Sequence, residues 1–174
     1  GSDGSWIERF QEKGIATLPF EASNCAFKIS WGSTFLAKHG GSPLKNIRIS
    51  CLDKSQKGEA VITNTGLEGN AIYGLSPQIR KQLKSHKKAA IFIDFKPTLT
   101  LKNITSKIRE SNFKNTTQIL KKELKLTGAQ IDLLKEKLSK ESYLNAKILS
   151  ENIKKFPLKI AGLGLLDAAI STAG

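Results

Sequence analysis

The sequence predicts an α+β fold, a β-barrel-like strand-rich part interrupted by a small helical bundle. Three observations carry that reading. Residues 44–52 and 89–95 have the alternation or the dense apolar run of strands, and both lie before Pro97. Residues 98–156 hold no Pro and a single Gly, and their Leu and Ile recur at helical spacing. After Phe156-Pro157 the pattern turns extended again. The expected organisation is 1–97 as a strand-rich part with two helices, 98–156 as the helical part, and 157–174 as strands that return to the first.

Each element has its own signal. Ser5 to Lys13 reads as a short amphipathic helix, with Trp6, Ile7 and Phe10 on one face and Gly14 where a C-terminal cap belongs. Ile15 to Trp31 is extended, broken at Pro19 and Ser23-Asn24. Ser33 to Lys38 suits a single helical turn before the loop Gly40-Gly41-Ser42-Pro43. In LKNIRISCL, the set Lys45, Ile47, Ile49 and Cys51 is mostly apolar and should face the core. A polar connection over 53–58 leads to a second strand over 59–65, giving a hairpin with a longer loop. Next comes TGLEGN, turn-rich, and a helix to about Lys84. Inside it Ser76-Pro77 means either a kink or a fresh start with Ser76 as cap.

AAIFIDF, 89–95, is a strand closed by Lys96-Pro97. Four helix faces follow: Leu101, Ile104, Ile108; then Ile119, Leu120, Leu124; then Ile131, Leu134, Leu138; then Leu144, Ile148, Leu149, Ile153. Such short helices need each other or the strands for stability. PLKIAGLG and LLDAAIST complete the chain.

Composition narrows the function classes. With 174 residues, 39% hydrophobic and 25% charged, the chain can bury a real core and is neither disordered nor collagen-like. No apolar run reaches the ~18–20 residues of a membrane span, and the start GSDGSWIERF has no signal-peptide pattern. Cys25 and Cys51 are too few for a disulfide scaffold and match no zinc spacing, so reduced, buried thiols in a cytoplasmic protein are expected. The formal charge of +13 lies entirely between Arg80 and Lys159, which hold 20 basic and 7 acidic residues.

No self-contained active site is visible, and neither catalytic nor metal-binding residues are assigned. His39 and His86 have no carboxylate or Cys at ligand spacing and are expected at the surface. Gly162-Leu163-Gly164 resembles the start of a dinucleotide fingerprint, but Asp167 stands at the third glycine position, so a turn is the better reading. The lysines around LTGAQ keep a second class open. That alternative is a basic nucleic-acid-binding module using the Lys-rich helical part, although few aromatics are there to stack bases.

TNTGLEGNAIYGLS, 63–76, carries the most information. Two glycines three apart free the backbone to turn or to approach a ligand just before a helix. GEAVITNTGLEGNAIYGLS resembles the strand-loop-helix stretch of the BaiN/RdsA/aminoacetone-oxidase-like flavoproteins, with its T-x-T-G-[LV]-[ES]-G core. GSDGSWIERFQEKGI, ASNCAF and FPLKIAGLGLLDAAISTAG resemble, in order, further stretches of that family's inserted region. The sequence departs from the commoner pattern at Asn64 and Asn70.

The resemblance implies an insert, or cap, domain of an FAD-dependent oxidoreductase. It would cover the flavin, help shape the cavity for a small-molecule substrate, and be inert alone. The partner would be a Rossmann-like FAD-binding domain of the same parent chain, with the FAD fingerprint outside this segment and Gly1-Ser2 native. By position, Thr65, Gly66 and Gly69 would lie nearest the flavin, followed by Asn24.

Overall fold

A computed structural model describes residues 4–18, 21–164 and 171–173. Helices and an antiparallel sheet are mixed, as an α+β class requires. The strands are β1 (Glu21–Asn24), β2 (Phe27–Lys28), β3 (Pro43–Cys51), β4 (Lys54–Ile62), β5 (Gly66–Glu68), β6 (Ala89–Asp94), β7 (Phe156–Ile160), β8 (Gly162–Leu163) and β9 (Ser171–Ala173). Seven of them form one sheet in the order β7-β6-β3-β4-β5-β2-β8.

That order closes the sheet. β7 and β8 stand at opposite ends of the hydrogen-bonded series, yet only Ala161 separates them in the chain. A flat sheet would hold them about six strand spacings apart, roughly 29 Å. The two chain steps from Ile160 to Gly162 reach about 7 Å. The sheet therefore curls into a barrel whose seam is a single bent strand, with Ala161 N–H donating to Lys28 O at 2.8 Å. Phe27, Ile49, Ile62, Leu67, Ile91 and Ile160, each from a different strand, are completely buried and fill it.

Helix α1 (Ile7–Glu12) precedes the barrel, and Gly14 takes the left-handed conformation (φ 72°) that ends it. Its expected apolar face is not buried: Trp6 and Phe10 remain 42% exposed and touch each other edge to face. Helix α2 (Ser33–His39) runs to two turns rather than one and buries Phe35 and His39. A one-turn helix α3 (Asn70–Tyr73) packs on β3 and β4, and α4 (Ser76–His86) packs on β6. Ser76-Pro77 is a fresh start, with Pro77 in the first turn. The cap position falls on Leu75, and Ser76 Oγ donates to Tyr73 O at 2.7 Å.

Two strand expectations change. In β3 the core set is Leu44, Ile47, Ile49 and Cys51, whereas Lys45 points to solvent. The register shifts between Leu44 and Ile47, with Asn46 left-handed (φ 52°), and that irregularity reverses the alternation. The β3–β4 connection is tight. Cys51 pairs with Lys54, so only Leu52 and Asp53 lie in the turn, and the polar run is strand whose side chains stand in solvent.

The helical part comprises α5 (Leu101–Arg109), α6 (Thr116–Lys122), α7 (Gly128–Lys137), α8 (Lys140–Leu144) and α9 (Ala146–Lys154). Every one is N-capped by a side chain: Thr100, Asn115, Thr127, Ser139 and Asn145. Caps contribute about 1 kcal/mol each, a large share for helices this short. The fourth predicted face is really two helices, because Asn145 stops α8 and caps α9. Leu144 and Ile148 are consequently exposed, while Leu149 and Ile153 are buried.

α9 packs against α5 and also against β6 and β7, so strands and helices share one continuous core. Lys154 clips the junction. Its ammonium donates to Asp94 Oδ2 (2.6 Å), Leu99 O (2.7 Å) and Lys96 O (3.1 Å).

His39 departs from expectation. It is 7% exposed, stacks on Phe35, and its Nε2 lies 2.9 Å from Asp132 Oδ2 on α7. Lys38 donates to the same oxygen. The carboxylate partner is 93 residues away in sequence, which explains why local spacing missed it. Burial alone would raise the Asp132 pKa, but the hydrogen bonds from Lys38 and His39 prevail and hold it below the usual range. His86 is exposed, as expected. Both cysteines are free and buried.

Candidate functional site

The segment 58–76 runs out along β4, turns at Thr63–Gly66, and returns as β5. Thr63 and Gly66 exchange backbone hydrogen bonds (2.8 and 3.2 Å), which makes the turn tight. Thr63 Oγ1 also accepts from Gly66 N at 3.2 Å and lies 3.3 Å from Thr65 Oγ1. Thr65 is exposed, and its carbonyl accepts from Ile29 N.

Gly66 is glycine for a packing reason. A Cβ there would lie 1.9 Å from Phe27 O, and its φ is 157°. Its carbonyl also accepts from Trp31 Nε1 at 3.1 Å. Both polar groups of this peptide position are thus committed inside the fold. Gly69 (φ 119°) would bring a Cβ to 2.8 Å from Glu59 O. Its carbonyl takes the N–H groups of Ile72 and Tyr73 in the first turn of α3.

Asn24 ends β1, opposite Ser171, beyond the first end of β2. Next to it, Cys25 is buried against Leu163. Burial raises its thiol pKa, Gly164 and Arg80 pull it down, and Glu68 pushes it up. Tyr73 is raised by burial and by Glu68, and a hydrogen bond from the Gly69 backbone opposes this. The predicted residues therefore divide between two ends of β5. Thr65 and Gly66 sit beside Trp31, whereas Gly69 belongs with Glu68 and Tyr73, next to Cys25 and Asn24. Three residues of strand separate the ends, about 10 Å. From sequence Cys25 reads only as a buried thiol and Arg80 carries no signal, because only the fold brings them near Glu68.

The second end also borders the two-stranded sheet outside the barrel. β1 pairs with β9 antiparallel, Glu21 opposite Ala173 and Asn24 opposite Ser171. The chain thus runs toward the barrel and back along one ribbon. Residues 21–171, from β1 through the barrel and the helices to the first residue of β9, match the family model described as HI0933-like protein barrel and H2TH domain. The chain belongs to this family.

HI0933-like domains are associated with insert regions of FAD-dependent oxidoreductases. No curated protein matches this chain. In this HI0933-like barrel, Gly162 and Leu163 form strand β8 against Lys28 and Phe27. The pairing continues at Gly164, whose N–H donates to Ala26 O at 2.7 Å. LTGAQ likewise has a local explanation, since Thr127 Oγ1 accepts from Gln130 N and Gln130 Oε1 from Thr127 N, a capping box. Asp167, weighed above at the third glycine position, lies outside the described residues.

Proposed function

We propose that this chain is the cap domain inserted into an FAD-dependent oxidoreductase, where it covers the flavin and shapes the cavity of a small-molecule substrate. The β1–β9 ribbon carries the reading. An inserted domain must leave and rejoin its host at neighbouring points, and an antiparallel pair of flanking strands does that. The host is a Rossmann-like FAD-binding domain of the same parent chain.

FAD, when bound there, supplies the redox chemistry. The residues of this chain orient and exclude. Thr65 offers an exposed hydroxyl, Gly69 and Asn24 stand at the end nearest the ribbon, and Gly66 lets β5 approach β2. Kinship with the BaiN/RdsA/aminoacetone-oxidase-like branch belongs to the same proposal and rests on the TNTGLEG segment.

The 174-residue chain, titrated with FAD under flavin fluorescence, is expected to show no saturable binding and no oxidoreductase activity. Stoichiometric micromolar binding by the chain alone would overturn the cap reading. In the intact parent protein, Thr65→Ala should alter the visible flavin spectrum, and an unchanged spectrum removes Thr65 from the flavin contact.

A further inference from the structure

A slot opens on the barrel at its seam. β7 hydrogen-bonds to β6 on one side. On its other side the neighbouring segment, Ile29 to Trp31, has already left the ladder, because β2 ends at Lys28. Pro157 is tolerated there because its missing N–H would have had no strand to pair with. The slot measures about 490 Å³, within the range of small-molecule sites. It lies past the Lys28 end of β2, away from the Cys25 end and the ribbon.

Its lining is that of an amphipathic site. Ile29, Leu133, Phe156 and Ile160 are buried beneath it, and Leu158 and the half-buried Trp31 wall it. The Trp31 indole is held on both sides: its N–H donates to Gly66 O, and its ring lies 5.4 Å from that of Phe35. The rim is charged. Lys88, Lys137 and Lys159 are exposed around it with no ion pair among the described residues, against a single carboxylate, Glu136.

An apolar floor, a fixed aromatic wall and an excess of ammonium groups select one class of ligand. We propose that the seam slot binds a small carboxylate with a compact apolar body, the body against Trp31 and Leu158 and the carboxylate at the lysine rim. Gly66 holds the Trp31 indole, but neither it nor Thr65 or Gly69 lines the slot, so the proposal does not require that the loop face a flavin. Apolar burial supplies the affinity, and the lysines supply the preference for an anion.

The test uses the Trp6→Phe variant, in which Trp31 is the only remaining tryptophan. Decahydro-2-naphthoate and its neutral amide do not absorb where tryptophan emits. The acid is expected to shift Trp31 emission to the blue saturably, and the amide to bind about tenfold more weakly, as a few exposed ion pairs together allow. Adding Lys88→Gln, Lys137→Gln and Lys159→Gln should bring the acid down to the affinity of the amide and leave the amide unchanged. These lysines are exposed, so the folded circular-dichroism spectrum should persist. A non-saturable response, equal affinity for acid and amide, or full acid affinity in the lysine variant each overturns the proposal.

Discussion

Replacing Gly66 with alanine tests the account of the barrel at its tightest point. The new Cβ would lie 1.9 Å from Phe27 O and 2.8 Å from Ile29 N, both backbone atoms that no rotamer change can move. Ordinary C···O contact needs more than 3 Å, so β2 and β5 must part by over an ångström. That movement weakens their ladder and the Trp31–Gly66 bond. Overpacking costs about 1–3 kcal/mol and a strained φ about as much again, so the loss should be roughly 2–6 kcal/mol. At about 2–4 °C per kcal/mol for a chain of this size, the melting temperature falls by roughly 4–24 °C. Gly41→Ala is the control. Its φ is also positive (82°), but nothing lies within 4 Å of the added methyl, so only the backbone strain, about 1 kcal/mol, remains. Urea unfolding followed by circular dichroism measures both. A Gly66→Ala loss equal to that of Gly41→Ala would refute the close-approach explanation.

Other perturbations separate packing, charge and partner. Ile153→Ala should cost about 3 kcal/mol in urea unfolding, since Ile153 is fully buried where α9 meets the strands, while exposed Leu144→Ala should change stability by less than about 0.5 kcal/mol. The Asp132 carboxyl has a depressed pKa in the folded chain, so its contribution is present above the ordinary carboxylate range, near 3.9, and is lost as pH falls through the lower folded value. Stability measured down to that range should decline less steeply in Asp132→Asn, and equal slopes would remove this pair from the acid response. Gel shifts at two salt concentrations address the basic helices. The cap reading expects no retarded nucleic acid at physiological salt, and salt-sensitive, high-affinity binding would restore the alternative.

Legibility followed the range of the interaction. β6 and the faces of α5, α6 and α7 could be seen because a helix or a strand writes its period into neighbouring residues. Even there, Leu101 stays 42% exposed, since burial depends on whether a second element arrives. The shift of phase in β3 could not be seen, because Asn46 adopts φ 52° only in its pairing with β4. His39 looked like a loop histidine until α7 supplied Asp132. Thr65, Gly66 and Gly69 are close in sequence, yet the fold places them at two ends of β5. Gly66 and Gly69 are explained by backbone contacts with Phe27 and Glu59, respectively, that no local pattern encodes.

By itself the sequence determined the fold class and the confinement of the +13 charge to Arg80–Lys159. These follow from period, composition and turn chemistry, which are local. Tertiary structure alone decided that β7 and β8 are one bent strand closing a barrel, that β1 and β9 form a common ribbon, and that lysines from three separate segments ring a slot at the seam. Each of these depends on contacts between residues far apart in the chain. Their favourable energy arises only after a loop has closed, so the residues on either side carry no local trace of it.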